Sequence, residues 1–320
     1  MRVLVAGGGG FIGGHLVKSL VEAGEDVVAV DRKPMNDWYQ VIDGSTVIER
    51  CDLSYAENCA LVVGGVDEVY MLAADMGGMG FIENNKLACM MSILPSTLML
   101  QASAAEGVKR YFYSSSACVY AADKQTDPRV TALKESDAYP AQAEDGYGWE
   151  KLFTERLCRH FYEDAGLVTR VARFHNVYGP YGTWTGGREK APAAICRKVI
   201  EAKMSGNHTV DIWGDGEQSR SFMYIDDCIE GIHRIMGSDY PYPLNLGSDE
   251  LVTINRLVDI VSGIADIRVE RTHDLSAPQG VRGRNSDNTL LDEVVGWVPE
   301  VSLVDGLQKT YDWILSEITG

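Results

Sequence analysis

Residues 2–31 read RVLVAGGGGFIGGHLVKSLVEAGEDVVAVD: a β-branched run, four glycines, a helical stretch closed by Gly24, and a second β-branched run ending in an acid. Gly7, Gly10 and Gly13 lie between the first run and the helical stretch, and Gly8 starts a G-x-G-x-x-G. Glycine there permits a tight turn and lets backbone N–H groups approach a pyrophosphate at the helix N-terminus. Alone such a pattern says little. Strand before, helix after and Asp31 closing the second strand make it a dinucleotide cradle, with Phe11 and Ile12 completing the contact segment. Asp31 is placed to accept hydrogen bonds from the adenosine ribose, and its charge disfavours a 2′-phosphate. NAD is therefore expected over NADP, with Arg32 and Lys33 the residues that would favour the reverse. Asp52, in CDLS, is open between a place near the adenine and a plain surface acid.

EVYMLAA, KRYFYSSS and VTRVARF follow as further strands with helical stretches between them. Buried apolar strands alternating with helices predict an α/β fold, a Rossmann-type doubly wound parallel sheet. After residue 178 the chain turns Gly- and Pro-rich, GPYGTWTGGREKAPAA, whereas PLNLGS (243–248) reads as a strand that could return to the sheet. The expected division is an NAD-binding part, 1–178 with 223–251 returning to it, and a smaller, discontinuous α/β substrate-binding part from 179–222 and 252–320.

The net charge of −17, from 46 acidic and 29 basic residues, is that of a surface that repels nucleic acid and anionic membranes. No run of about 18 apolar residues is evident, and the glycine-broken N-terminus does not resemble a signal sequence. A cytoplasmic protein, with no membrane and no nucleic-acid partner, is the expectation. Seven irregularly spaced cysteines without a Cys-x-x-Cys argue against both a disulfide framework and a metal site.

YGWEK places Tyr147 and Lys151 at i, i+4 on one helix face. A phenol with an ordinary pKa of about 10 is a poor base near neutrality. A neighbouring ammonium and an oxidised nicotinamide both favour the phenolate, which makes Tyr147 a plausible base. With the glycine cradle and a serine-rich strand end upstream, this combination resembles the extended short-chain dehydrogenase/reductase family over essentially the whole chain. That resemblance implies a serine beside the tyrosine. Ser116 is the best match, with Ser114 and Ser115 adjacent.

Longer strings narrow the likeness. AADMGGMGF (73–81), SSACVY (115–120), RFHNVYGPYGTWTGGREKAPAAICRK (173–198), WGDGEQSRSF and GVRGRNSDN are similar to the GDP-mannose 3,5-epimerase branch of that family. Taken singly, a cysteine just past a buried strand is usually a small core residue and a lysine in a Gly-rich loop a solvated one. The resemblance implies instead that Cys118 and Lys190 form an acid/base pair, the cysteine as base and the lysine as opposing acid. Transient oxidation of the sugar's carbon 4 by bound NAD acidifies the hydrogens at carbons 3 and 5. A proton then leaves one face, another returns to the opposite face, and the ketone is reduced again. Whether inversion stops at carbon 5 or includes carbon 3 is open.

The same likeness implies sugar contacts from Gly77, Ser116, Ala117, Asn176, Glu189 and Ala191, and nucleotide contacts from Lys198, Gln218, Ser219, Arg220 and Arg284. Arg188 and Glu189 orient Lys190 or the substrate, and His175 is a packed histidine. An anionic GDP-sugar needs local positive charge, and Arg188, Lys190, Arg197, Lys198, Arg220, Arg282 and Arg284 cluster in this part of the chain. A homodimer is implied because family members pair through two helices per subunit, for which KLFTERLCRHFY has apolar positions. The chain ends at WILSEITG, without the longer tail of plant-type members. The alternatives are a 4-epimerase, which has no use for Cys118 and Lys190, and a 4,6-dehydratase, which would carry Thr-Asp-Glu where SSSAC stands. A non-catalytic NAD sensor is more remote, having no use for the Tyr147–Lys151 pair.

Overall fold

The computed structural model describes all 320 residues. The strands in chain order are β1 (Arg2–Ala6), β2 (Asp26–Val30), β3 (Thr46–Ile48), β4 (Glu68–Met71), β5 (Arg110–Ser116), β6 (Val168–Phe174), β7 (Val177–Tyr178), β8 (Thr209–Trp213), β9 (Ser219–Ser221), β10 (Met223–Tyr224), β11 (Leu244–Leu246), β12 (Leu251–Thr253), β13 (Glu270–Asp274) and β14 (Gly283–Arg284). Seven of them form one parallel sheet in the order β11-β6-β5-β4-β1-β2-β3. The order reverses at β1, flanked by β2 and β4, and this switch point opens a crevice at the strands' carboxyl ends.

Helices cover both faces, so the strands read as continuous apolar runs. They are α1 (Phe11–Glu22), α2 (Ala56–Val63), α3 (Met79–Asn84), α4 (Lys86–Met90), α5 (Ile93–Glu106), α6 (Asp145–Ala165), α7 (Ala191–Ser205), α8 (Ile225–Gly237), α9 (Ile254–Ile264), α10 (Thr289–Val295) and α11 (Leu303–Thr319). Side chains alternate across β5. Tyr111 and Tyr113 enter the core beneath α2, α5 and α6, while Phe112 enters the opposite one. Each of these rings is fully buried and contributes on the order of 2–3 kcal/mol of apolar transfer.

The Phe112 core runs without interruption through Tyr178, Ile225 and Leu246 into Ile200, Leu257 and Leu307 of the C-terminal helices. The short sheets β12-β9-β14 and β13-β8 therefore sit on a lobe that shares the sheet's own core. Leu244–Leu246 forms the outer strand of the sheet, paired to Ala172–Phe174. The stretch 86–106 is, by length and composition alone, apolar and helical enough to cross a membrane, which corrects the expectation that no such run exists. A turn at Met91–Ser92 breaks it into α4 and α5, and both pieces pack on α6.

Candidate active site

The first β-turn-helix builds the cofactor cradle. Gly7 N–H and Gly8 N–H both donate to the Val30 carbonyl, at 2.8 and 3.0 Å, which pulls the loop across the end of β2. Gly7 has φ +88°, and a Cβ on Gly13 would stand 2.0 Å from the Gly7 carbonyl oxygen, so α1 can start this close to β1 only with glycine. Gly10 precedes α1 with its own N–H turned back to Gly7, and Phe11 and Ile12 form the half-buried first turn. Asp31 lies half-buried at the end of β2, where its Oδ1 accepts the Lys33 N–H at 3.0 Å. Asp52 caps the next turn by accepting from Ser54 at 2.9 Å. These residues fit a dinucleotide: a tight glycine turn, a helix N-terminus and an acid at the end of the second strand.

At the end of β5 the three serines separate. Ser114 Oγ donates to Met71 O at 3.0 Å and Ser115 Oγ to Glu155 at 2.5 Å, both inside the core. Ser116 is the one left half-exposed, near enough to the Tyr147 phenol to favour its ionisation and accepting the Cys118 N–H at 3.2 Å. A single 3₁₀ turn, Ala117–Val119, then carries Cys118 under α6. Cys118, Tyr147, Ile82 and Cys89 share one small apolar cluster. Lys151 is buried a turn beyond Tyr147, its Nζ 5.5 Å from the Tyr147 ring and 4.7 Å from that of Tyr113. Burial holds the Tyr147 phenol well above its ordinary value, and the charge of a Cys118 thiolate adds to this.

Lys190 arrives from the other side. Gly78 N–H donates to Arg188 O at 2.9 Å, docking 73–81 against the 186–190 loop, and Lys190 ends that loop just before Ala191 begins α7. The residue as a whole is half-buried, but its ammonium end is turned away from solvent, has no carboxylate within 4 Å and lies within range of the charge on Cys118. Burial lowers Lys190 and pushes Cys118 up to about 11, the latter reinforced by the Glu144 carboxylate and opposed by Arg284. Both groups are thus driven toward their neutral forms, so the cysteine keeps its proton at neutrality more firmly than a free thiol would.

The expected substrate residues divide. Gly77 lies beside Phe81, and Ala117 is buried next to the cysteine. Asn176, with φ +43°, donates its amide to Ser221 O at 3.1 Å. Glu189 accepts from Gly187 N–H at 2.7 Å and meets Arg197 at 3.5 Å. Gln218 donates to Trp213 O at 2.8 Å, and the Ser219 hydroxyl bonds to Pro128 O. Arg220 is buried against the carbonyls of Ser219, Gln279 and Val281, and burial lowers it to about 10. Of the seven basic residues expected to gather charge, only Lys190 and Arg220 have no carboxylate within 4 Å. Arg188 pairs with Asp75, Arg197 with Glu201, Lys198 with Asp211, Arg282 with Asp215 and Arg284 with Glu144. The surplus positive charge is smaller than the sequence cluster suggests: Glu201 and Asp211 neutralise from nearby in the chain, and Asp75, Asp215 and Glu144 from distant segments.

His175 is fully buried, bonded through Nε2 to Asn245 Oδ1 at 3.0 Å, and burial lowers it to about 3. It is a neutral packed imidazole. Glu144, Gln125 and Glu150 escape a reading of the sequence. Glu150 is completely buried under Lys151, 3.7 Å from its Nζ, and accepts from Ser96, Tyr113 and Thr154. Its place beside Tyr147 and Lys151 in YGWEK was visible, but its burial was not. Glu144, one turn before Tyr147, carried the only other spacing clue.

Glycine cradle, switch-point crevice and the buried Tyr147–Lys151 pair define an NAD-dependent enzyme, and residues 3–247 match the NAD dependent epimerase/dehydratase family, to which the chain belongs. It is 48% identical over 319 residues to GDP-mannose 3,5-epimerase 1 of Oryza sativa subsp. japonica, covering 99% of this chain and 82% of that relative. It is 45% identical, over 99% of this chain and 83% of the relative, to GDP-mannose 3,5-epimerase of Arabidopsis thaliana. Among solved structures, UDP-glucose 4-epimerase from Thermotoga maritima with UDP-glucose matches at TM-score 0.89 and 25% identity, covering 99% and 100% of the two chains. MoeE5 in complex with UDP-glucose and NAD matches at TM-score 0.82 and 28% identity, covering 99% and 100%.

Proposed function

We infer that this chain is a GDP-mannose 3,5-epimerase, converting GDP-D-mannose to GDP-L-galactose, with the carbon-5 epimer GDP-L-gulose as the partial product. One observation supports the assignment beyond the family: Cys118 packs with Tyr147, and Lys190, from a segment far away in sequence, lies within range of the charge on its sulfur. A 4-epimerase needs only the Tyr147–Lys151 pair. When bound, NAD supplies the reversible oxidation at carbon 4 that acidifies the neighbouring C–H groups; Gly7, Gly10, Phe11, Ile12, Gly13 and Asp31, with Asp52 close by, would hold it.

Tyr147 then takes the proton of the sugar hydroxyl, assisted by the Ser116 hydroxyl and by the ammonium of Lys151 beneath it. Cys118 removes a proton from the carbon next to the ketone, and Lys190 returns one from the opposite side. Arg220, Gln218 and Lys198 would receive the nucleotide end, and binding of a pyrophosphate there would exchange the Lys198–Asp211 pair for a phosphate contact. Two chains pair through α4, α5 and α6. Leu87, Met90, Met91 and Leu94 stand exposed beside the exposed Trp149 and Phe153 of α6, an apolar face larger than isolated surface residues explain. Sedimentation velocity is expected to give twice the 35.1 kDa chain mass, and a monomer at micromolar concentration would reject the pairing.

The function is tested by incubating the protein with GDP-mannose in deuterium oxide and following the sugar by NMR. Deuterium at carbons 5 and 3, with L-configured products and no added reductant, is the expected result. Label at carbon 5 alone restricts the reaction to the gulose product. Inversion at carbon 4 without label would replace this reading by a simple 4-epimerase, because the transferred hydride does not exchange with solvent.

A further inference from the structure

We propose that Glu144 is a positioning residue for the epimerisation, acting on Cys118 through Arg284: with Gln125 it clamps the guanidinium so that one N–H group points at the sulfur. The inference rests on the function proposed above and extends it to residues outside the acid/base pair. Arg284 comes from β14 and is 3% exposed. Its Nε donates to Gln125 Oε1 at 2.7 Å, its Nη2 to Glu144 Oε2 at 2.8 Å, and its Nη1 reaches Cys118 Sγ at 3.5 Å. All three nitrogens of the fork are thus engaged, and a planar guanidinium bound at two points cannot swing the third elsewhere. Arg284, expected from the sequence to contact the substrate, thus faces the Cys118 sulfur.

Glu144 is tied to the same cysteine by its backbone as well. Its N–H donates to Cys118 O at 2.8 Å, and its own carbonyl accepts the Gly148 N–H at 2.7 Å. One residue therefore fixes the start of α6, the turn bearing Cys118 and the cation beside it.

The two side chains act on Cys118 in opposite senses. The guanidinium favours the thiolate that must accept a carbon-bound proton, and the carboxylate opposes it while holding the guanidinium in place. The other groups facing the sulfur are Ser116 on its own turn, Tyr147 on α6, Arg220 on β9, Lys190 before α7, and the Cys89 thiol on α4. None of these joins Arg284 and Cys118 as Glu144 does.

The test is the rate of Cys118 alkylation by iodoacetamide near neutral pH in the intact NAD-loaded protein, read by mass on the peptide carrying Cys118. Glu144→Gln keeps an oxygen for Arg284 but removes the opposing charge. It is expected to raise the thiolate fraction about tenfold and, after the lower nucleophilicity of a less basic sulfur, the alkylation rate about threefold. Arg284→Gln is expected to lower the rate by a similar factor. If that variant does not fold, Arg284→Lys, which keeps the charge but loses the fork, is expected to lower it by a smaller factor. A site merely loosened would expose the sulfur and speed alkylation in both variants. That outcome, or no change in either, overturns the proposal. Alkylation reads the sulfur and not turnover, so absence of deuterium exchange in the unaltered protein would reject the assigned function while leaving this measurement interpretable.

Discussion

Cys118→Ala is expected to lower deuterium incorporation at the sugar carbons by roughly 10³-fold, the range a positioned general base supplies. The loss is specific because little else depends on the sulfur. The small cluster of Ile82, Cys89 and Tyr147 loses one atom, costing about 1 kcal/mol. The glycine cradle and the Tyr147–Lys151 pair are untouched, so NAD remains bound and the oxidative half of the reaction remains open. The pH dependence has a defined sign. Burial pushes the thiol up to about 11, so below that value the thiolate fraction rises about tenfold per pH unit and label uptake rises with it through neutrality. The residual uptake of Cys118→Ala should lack that slope. NMR time courses at several pH values decide the matter; uptake within about tenfold of the unaltered protein would remove Cys118 from the chemistry.

The second large effect is structural. In Gly148→Ala the new Cβ would stand 2.3 Å from the Cys118 carbonyl oxygen and 3.1 Å from its carbonyl carbon. Both neighbours are backbone and cannot rotate away, so α6 must lift off the turn that carries Cys118. Overpacking of this kind costs on the order of 3 kcal/mol, against the gain of about 1 kcal/mol that alanine normally brings over glycine in a helix interior. Urea unfolding is expected to show the lower midpoint. Label uptake at a denaturant-free temperature should fall as well, because Tyr147, the preceding residue, moves away from Ser116 and Cys118. A variant as stable and as active as the parent would show that α6 has room the present geometry denies.

Much of the fold was legible because its determinants are local. A glycine turn between a strand and a helix, strands that are apolar throughout, and a Tyr–Lys pair at helical spacing each follow from residues within a few positions of one another. Ser116, Cys118 and Lys190 were legible only as strings resembling a known branch of the family. Neither spacing nor composition could bring residues 118 and 190 together. The apolar stretch at 86–106 was missed for a related reason: Ser92 and Pro95 interrupt it to the eye, yet the chain stays almost continuously helical across them.

The chain by itself determined the sheet, the cofactor cradle and the kinds of side chain at the reacting centre, since these depend on backbone sterics and short-range periodicity. Only the tertiary structure decided which charges face one another: Glu144 and Gln125 on Arg284, Arg284 on Cys118, Glu150 beneath Lys151, and carboxylates opposite five of the seven basic residues. Electrostatic pairing depends on distance and burial in three dimensions, and for Arg188 and Arg284 those are set by the packing of segments that the sequence holds more than a hundred residues apart.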